Sequence, residues 1–256
     1  MAPESALTDF SLRAGADGPN LAGGGVPFEQ RLRDERELLI RWAREIGFTL
    51  PAEDYRLPKF RTHGEHHVFY DEESDRFMKI THGWDRQKAG FALTVEARFS
   101  RFGKVTQNPI YAPSIREATP LEYLARLRLF NRTFLDSVEV EGVIDEPGSE
   151  AIVISQRYIT GSAAPPVVVR EFMIHRGFAE VPGVIAGRRD SISYFRSADR
   201  VAVFDTHPEN FLSSGPETVP IDALIIHAND DLTTFLSMSP HDRSAEIGLW
   251  ASVHEL

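Results

Sequence analysis

The chain has 256 residues and no cysteine, and its 38 acidic residues against 28 lysines and arginines give a formal charge of −10. That balance opposes nucleic-acid binding through clustered basic side chains, and the missing thiols exclude disulfides, thiolate metal sites and a cysteine nucleophile. A hydrophobic share of 42% beside 26% charge is that of a globular chain with its own core. No apolar run approaches a membrane span and no basic-then-apolar signal opens the chain, so a cytoplasmic protein without membrane contact is expected.

In chain order, residues 1–27 carry Gly15, Gly18, Gly23, Gly24 and Gly25 among small and polar residues and read as a flexible leader. Glu29–Ile46 has helical periodicity, with Leu32, Leu38, Leu39 and Trp42 available for burial and Gly47 as its stop. His63-Gly64-Glu65-His66-His67 places a glycine where backbone can approach phosphates closely. His66 and His67 are adjacent, so on a strand they point to opposite faces, which argues against joint metal ligation. His67–Tyr70 and Arg76–Ile80 are β-favouring runs around the turn-rich Asp71–Asp75, which predicts a hairpin with Lys79 near the end of its second strand. Gly83–Ile115 is mixed, with Phe91–Val95 and Phe99 suggesting extra strands or a flap.

The clearest helix is Thr119–Phe134, with Thr119 as N-cap, Pro120 at the first helical position and Leu124, Leu127 and Phe134 facing a core. Glu122 has two readings. Thr119 and Glu122 fit the S/T-x-x-E capping box; alternatively Glu122 pairs with Lys79 and holds it against phosphates. The pairing is the expectation, because a phosphate-facing lysine needs an orienting acid. Ala151–Ile154 reads as a buried strand leading into Ser155–Thr160, Gly161–Pro166 as a crossing, and Val167–Arg176 as a short helix stopped by Gly177. Ser193–Arg196 and Arg200–Val203 flank a turn at Ser197–Asp199 and predict a hairpin.

The richest stretch follows. Val201–Phe204 is an apolar strand-like run that delivers Asp205 into the polar Thr206-His207-Pro208-Glu209-Asn210, and Pro220-Ile221-Asp222 ends a second short run. This is the layout of a phosphoryl-transfer site, in which catalysis rests on positioning and on neutralising charge spread over phosphate oxygens. Mg²⁺ takes one or two carboxylates with substrate oxygens and water, and Asn210 and Asp222 supply ligands of that kind. The bland alternative is a capped surface turn in which Asp205 and Asn210 satisfy backbone donors.

Taken together, Gly64–Tyr70, Lys79, Ala118–Leu124, Ile154–Ile159, Asp205–Asn210 and Pro220–Asp222 give the chain its resemblance to the protein-kinase-like superfamily. It most closely resembles the small bacterial and phage kinase-like domains of polyvalent proteins, and its His-Pro-x-Asn piece also looks like small-molecule phosphotransferases. The resemblance implies a two-lobed α+β fold with a reduced C-lobe, 28–160 forming the N-lobe and 161–256 the C-lobe. It implies ATP and Mg²⁺ as cofactors and transfer of a phosphoryl group to a hydroxyl of an unknown protein or small-molecule acceptor. Asp205 would orient or deprotonate the acceptor, Asn210 and Asp222 would bind Mg²⁺, and Lys79 would hold the phosphates with Glu122 as support. Gly64, Gln156 and Tyr158 would contact the nucleotide.

Departures from the family pattern are equally visible. Val203-Phe204-Asp205 stands where His-Arg-Asp is usual, and Ile221-Asp222-Ala223-Leu224 stands where Asp-Phe-Gly is usual. Only 34 residues follow Asp222, too few for a peptide-docking platform. Two alternatives therefore stand beside the kinase reading: a pseudokinase acting as a nucleotide-dependent binding module, and a nucleotidyl transferase that binds ATP in the reverse direction.

Overall fold

A computed structural model of the chain describes residues 27–55, 61–63, 65–82, 90–98, 110–148 and 150–239. The expected leader falls outside them except for Pro27, and so do Gly64 and Phe99. The chain is mixed α+β. Its elements are α1 (Phe28–Ile46), β1 (Thr49–Leu50), a 3₁₀ turn at Ala52–Tyr55, β2 (Arg61–His63), β3 (His66–Asp71), β4 (Arg76–Thr81), β5 (Phe91–Arg98), β6 (Ile110–Glu117) and α2 (Pro120–Phe134). There follow β7 (Glu139–Ile144), β8 (Ala151–Arg157), β9 (Ser162–Ala163), α3 (Pro166–His175), β10 (Ala179–Glu180), β11 (Tyr194–Arg196) and β12 (Val201–Phe204). A 3₁₀ turn at Pro208–Asn210, β13 (Phe211–Ser214), β14 (Glu217–Pro220), β15 (Leu224–His227) and α4 (Asp230–Ser237) complete the series. The described residues divide into two compact units, one running to Ala92 and resuming at Glu117–Tyr158, the other comprising Leu93–Arg116 and the residues from Ile159 onward. Among the described residues no helix is long and apolar enough to cross a membrane.

The first unit is built on one sheet of order β1-β7-β8-β4-β3-β2, antiparallel throughout except for the parallel pair β1–β7. Alternation along the strands sends Met78, Ile80 and Val153 to one face, where they pack with Ile144, Leu50, Tyr55 and Phe69. The register sets Lys79 opposite Val68 and Ile154, in the middle of the sheet. α1 buries Leu32, Leu39, Trp42 and Ala43 and ends as the periodicity predicts. Gly47 adopts φ 68°, which a residue with a Cβ adopts only under strain, and lets the Phe48 N–H bond back to the Ala43 carbonyl at 2.7 Å. Leu38 is only half-buried; the side chain that joins the apolar stripe instead is Glu35, 1% exposed.

Glu35 is buried because α2 needs it. The first N–H groups of a helix have no intrahelical partner, and here each is met: Pro120 has none, the Leu121 N–H donates to Glu35 Oε2 at 3.1 Å, and the Glu122 N–H donates to Thr119 Oγ1 at 3.4 Å. The Thr119 N–H donates to Glu122 Oε2 at 3.0 Å, closing the capping box. Burial pushes the Glu35 carboxyl above its ordinary range, against the lowering effect of the Thr119 and Leu121 bonds.

The second unit holds a four-stranded antiparallel sheet of order β10-β11-β12-β15, a three-stranded sheet β14-β13-β9, and most of the pair β5–β6. β12 is buried along its whole length, as its unbroken apolar run requires. Two registers bring the candidate residues together. Phe204 pairs with Leu224 across β12–β15, and Phe211 pairs with Pro220 across β13–β14. The segment leaving β12 therefore runs beside the segment joining β14 to β15, so Asp205 and Asn210 are brought to Ile221-Asp222 by strand pairing alone.

Candidate active site

In the second unit, Asn210 stitches the expected trio together. It ends the short 3₁₀ turn, with its N–H donating to the His207 carbonyl at 2.9 Å. Its side-chain Nδ2 donates to the Asp205 carbonyl at 2.7 Å and lies 3.4 Å from Asp205 Oδ2. Its own carbonyl accepts from the Ile221 N–H at 2.8 Å and the Asp222 N–H at 3.4 Å. Asp205 and Asp222 are half-buried and Asn210 is buried, so the three polar groups lie at a partly dry loop cluster.

Asp205 itself is held in an uncommon backbone conformation, φ 53°. Asp tolerates the left-handed region better than most residues, yet the state costs about 1–3 kcal/mol and persists only where surroundings fix it. The fixing groups come from residues 186–191. The Asp205 N–H donates to the Ala186 carbonyl at 3.0 Å, and Asp205 Oδ1 accepts from the Arg188 N–H at 2.9 Å and the Ser191 hydroxyl at 3.1 Å. Gly187, at φ 103°, passes so close that an added Cβ would overlap the Asp205 carboxylate. The Arg188 guanidinium bonds Asp190 and Glu209. That contact, the largest effect on it, holds the Asp190 carboxyl below its ordinary range. Arg188 is thus paired with an acid of its own loop and with one of the turn that follows Asp205; as one of an Arg188-Arg189 pair it reads from the sequence as solvated or as an aid to an anionic ligand. His207 is buried beside this loop, its Nε2 3.9 Å from Asp205 Oδ1.

In the first unit, Lys79 Nζ donates to Gln156 Oε1 at 2.8 Å, and Gln156 Nε2 donates to Asp136 Oδ2 at 2.5 Å. An ionised carboxylate only accepts, so Asp136 fixes which end of the Gln156 amide faces it and turns the oxygen toward Lys79. The expectation for Glu122 needs correction. One of its oxygens closes the capping box and the other accepts from Arg31 Nη2 at 2.7 Å, so Glu122 serves the start of α2 and a bond to α1. Gln156 accordingly turns its side chain to Lys79 and Asp136. Tyr158 stands with Tyr70 and Phe77 in an aromatic group, ring centroids 4.8 and 5.3 Å from Tyr158, and its N–H donates to the Asp75 carbonyl at 3.2 Å. A bond to Asp75 pushes the Tyr70 hydroxyl up to about 12.

Sequence reasoning missed the buried layer between the β3 end and α2. Glu65 and Arg126 form a two-pronged ion pair with side chains 5% and 7% exposed, and Glu65 also accepts from the Phe91 N–H at 3.2 Å. His66 Nε2 shares a 2.6 Å hydrogen bond with the Tyr123 hydroxyl. Burial, reinforced by the Lys79 and Arg126 cations, drives the His66 ring well below its ordinary range, so it is neutral. Among the described residues no group of three or more histidines, cysteines and acids is arranged to hold a metal.

No protein-family model, curated protein or solved structure matches the chain.

Proposed function

We propose that the chain is an ATP- and Mg²⁺-dependent phosphotransferase of protein-kinase-like fold, acting on a hydroxyl acceptor. The observation that carries the reading is the convergence of two segments on Asn210, whose side chain bonds the Asp205 carbonyl and whose own carbonyl accepts the Ile221 and Asp222 N–H groups, so that the segment bearing Asp222 is held beside the turn bearing Asp205. The strained φ of Asp205 points the same way, because such conformations collect at functional positions.

The residues fit the metal. With its Nδ2 spent on Asp205, the Asn210 side chain has Oδ1 to offer, and Asp222 adds a half-buried carboxylate, which matches the one or two protein oxygens Mg²⁺ takes. Bound there, Mg²⁺ supplies charge neutralisation on the phosphate oxygens. Asp205 orients the acceptor hydroxyl and takes its proton. In the first unit, Lys79 sits mid-sheet with its ammonium steered by Gln156, as a phosphate-holding strand lysine requires.

The test is incubation with ATP labelled separately at the α- and γ-phosphates, with wild type, Asp205→Asn and Asp222→Ala. Transfer or release of γ-label that falls by orders of magnitude in Asp205→Asn, with nucleotide affinity kept, supports the proposal. Label from the α-position instead assigns nucleotidyl transfer. Mg²⁺-dependent ATP binding with no transfer of either label assigns a nucleotide-dependent binding module, and equal behaviour of wild type and Asp222→Ala removes the metal assignment.

A further inference from the structure

We infer that residues 186–191 are the positioning element for Asp205, with Gly187 and Ser191 as its working residues, so that Oδ1 is committed to the protein and Oδ2 is the oxygen presented to a reacting group. The last clause rests on the phosphotransferase reading; the positioning itself does not.

Three observations carry this. First, the contact is made twice over: backbone to backbone through the Ala186 carbonyl, and loop to carboxylate through the Arg188 N–H and Ser191 hydroxyl, all on one side of Asp205. Two donors converging on a single oxygen restrict its rotamer more than either does alone. Second, the approach demands glycine. Any side chain at 187 would occupy the space of the Asp205 carboxylate, and φ 103° admits glycine almost alone. Third, the loop is itself braced. The Ser191 N–H closes a turn onto the Arg188 carbonyl at 3.0 Å, the buried Ser193 hydroxyl donates to the Val184 carbonyl at 2.6 Å, and the Thr206 hydroxyl donates to the Ile192 carbonyl. Buried hydroxyls require such partners, and here the partners they take hold the loop in place.

The loop also answers a departure in the sequence. Val203 and Phe204 are completely buried in the β12 core and send no polar group toward Asp205. The organising donors arrive instead from the chain ahead of β11. With Oδ1 saturated, the remaining oxygen lies on the Asn210 side, 3.4 Å from Nδ2. In transfer, the acceptor hydroxyl gives its proton to Oδ2 as its oxygen bonds phosphorus, and the bond from phosphorus to the ADP oxygen breaks with its electron pair leaving on ADP.

The test pairs a conformational with a kinetic readout on full-length wild type, Ser191→Ala, Ser191→Thr and Gly187→Ala. Three-bond couplings from the backbone nitrogen and carbonyl carbon of Asp205 to its Cγ report χ1 whether or not the protein is active. Wild type and Ser191→Thr are expected to hold one rotamer, Ser191→Ala to average, and Gly187→Ala to leave the wild-type rotamer. In transfer assays kcat should fall about tenfold in Ser191→Ala with KM for ATP within about twofold, and recover in Ser191→Thr, as for an interaction used in the transition state. An unchanged single rotamer in Ser191→Ala overturns the inference, and this mild variant keeps the question answerable should Gly187→Ala fail to fold. Rotamer changes as expected in the variants, beside a wild type that transfers nothing, would leave the positioning standing and remove the phosphotransferase reading.

Discussion

The Glu65–Arg126 pair shows what single residues do in this chain. Two charges with side chains 5% and 7% exposed give up most of their hydration, and only mutual pairing and further bonds make that tolerable. Arg126→Met should therefore destabilise the first unit by about 3–5 kcal/mol, because Glu65 is left charged and buried. Adding Glu65→Gln should recover most of the loss, and urea unfolding of the two single variants and the double variant checks it. His66 gives a prediction in pH. Its folded-state pKa lies well below the unfolded value of about 6.5, so above that pH its contribution is intact. As pH falls the unfolded chain binds a proton that the native ring refuses, and stability drops with a slope approaching about 1.4 kcal/mol per pH unit until the folded pKa is reached. The stability difference between wild type and His66→Gln should narrow from about pH 7 to about pH 5; parallel curves would show that the ring takes its proton without penalty. Neither residue was legible in the sequence as a partner of anything. The pair spans 61 positions, and adjacent histidines carry no sign of which one the sheet will bury.

At the scale of elements, the start of α2 explains both a success and an error. Local signals are complete within five residues, Thr119-Pro120-Leu121-Glu122-Tyr123, and the helix forms where they say. The same signals were enough to decide Glu122, since a capping box needs nothing from the rest of the fold. A phosphate-facing lysine suggested the other role, and the structure gives the steering of Lys79 to Gln156 and Asp136, a relay with steps of 77 and 20 positions that no spacing rule reveals. Thr119→Ala should cost about 1 kcal/mol of unfolding free energy, measured by denaturant titration. Gln156→Leu should weaken ATP binding by several-fold in calorimetric titration, whereas Glu122→Gln should leave it unchanged. A weakening confined to Glu122→Gln would restore the helix acid to Lys79. The trio of Asp205, Asn210 and Asp222 was readable for the opposite reason. Its members are set by strand ends, and strands declare themselves in apolar runs such as Val201–Phe204. The 186–191 loop was not readable, because its work is done by backbone groups, a glycine and a single serine hydroxyl, which carry no pattern.

At the scale of the whole molecule, ligand and stability are linked. Anything that binds the native state and not the unfolded chain raises stability by an amount set by its concentration over Kd, about 2.7 kcal/mol at a hundredfold excess. A chain of formal charge −10 has little general attraction for a polyanion, so any such gain from ATP must come from specific groups. The metal assignment makes the gain conditional. Mg²⁺ must offset the repulsion between the triphosphate and the acids Asp205 and Asp222, so ATP with Mg²⁺ should raise Tm by several degrees and ATP with EDTA by much less. Asp222→Ala should lose the Mg²⁺-dependent part of the rise while keeping nearly the same Tm without ligand, its position being half-buried on a loop. Under the proposal Asp205→Asn should keep the rise, since it removes the charge assigned to the acceptor and leaves the oxygens assigned to the metal in place. Differential scanning calorimetry of the three proteins with ATP, Mg²⁺ and EDTA reads all of this, and a Tm that ignores ATP in wild type at every metal concentration would take the nucleotide out of the account.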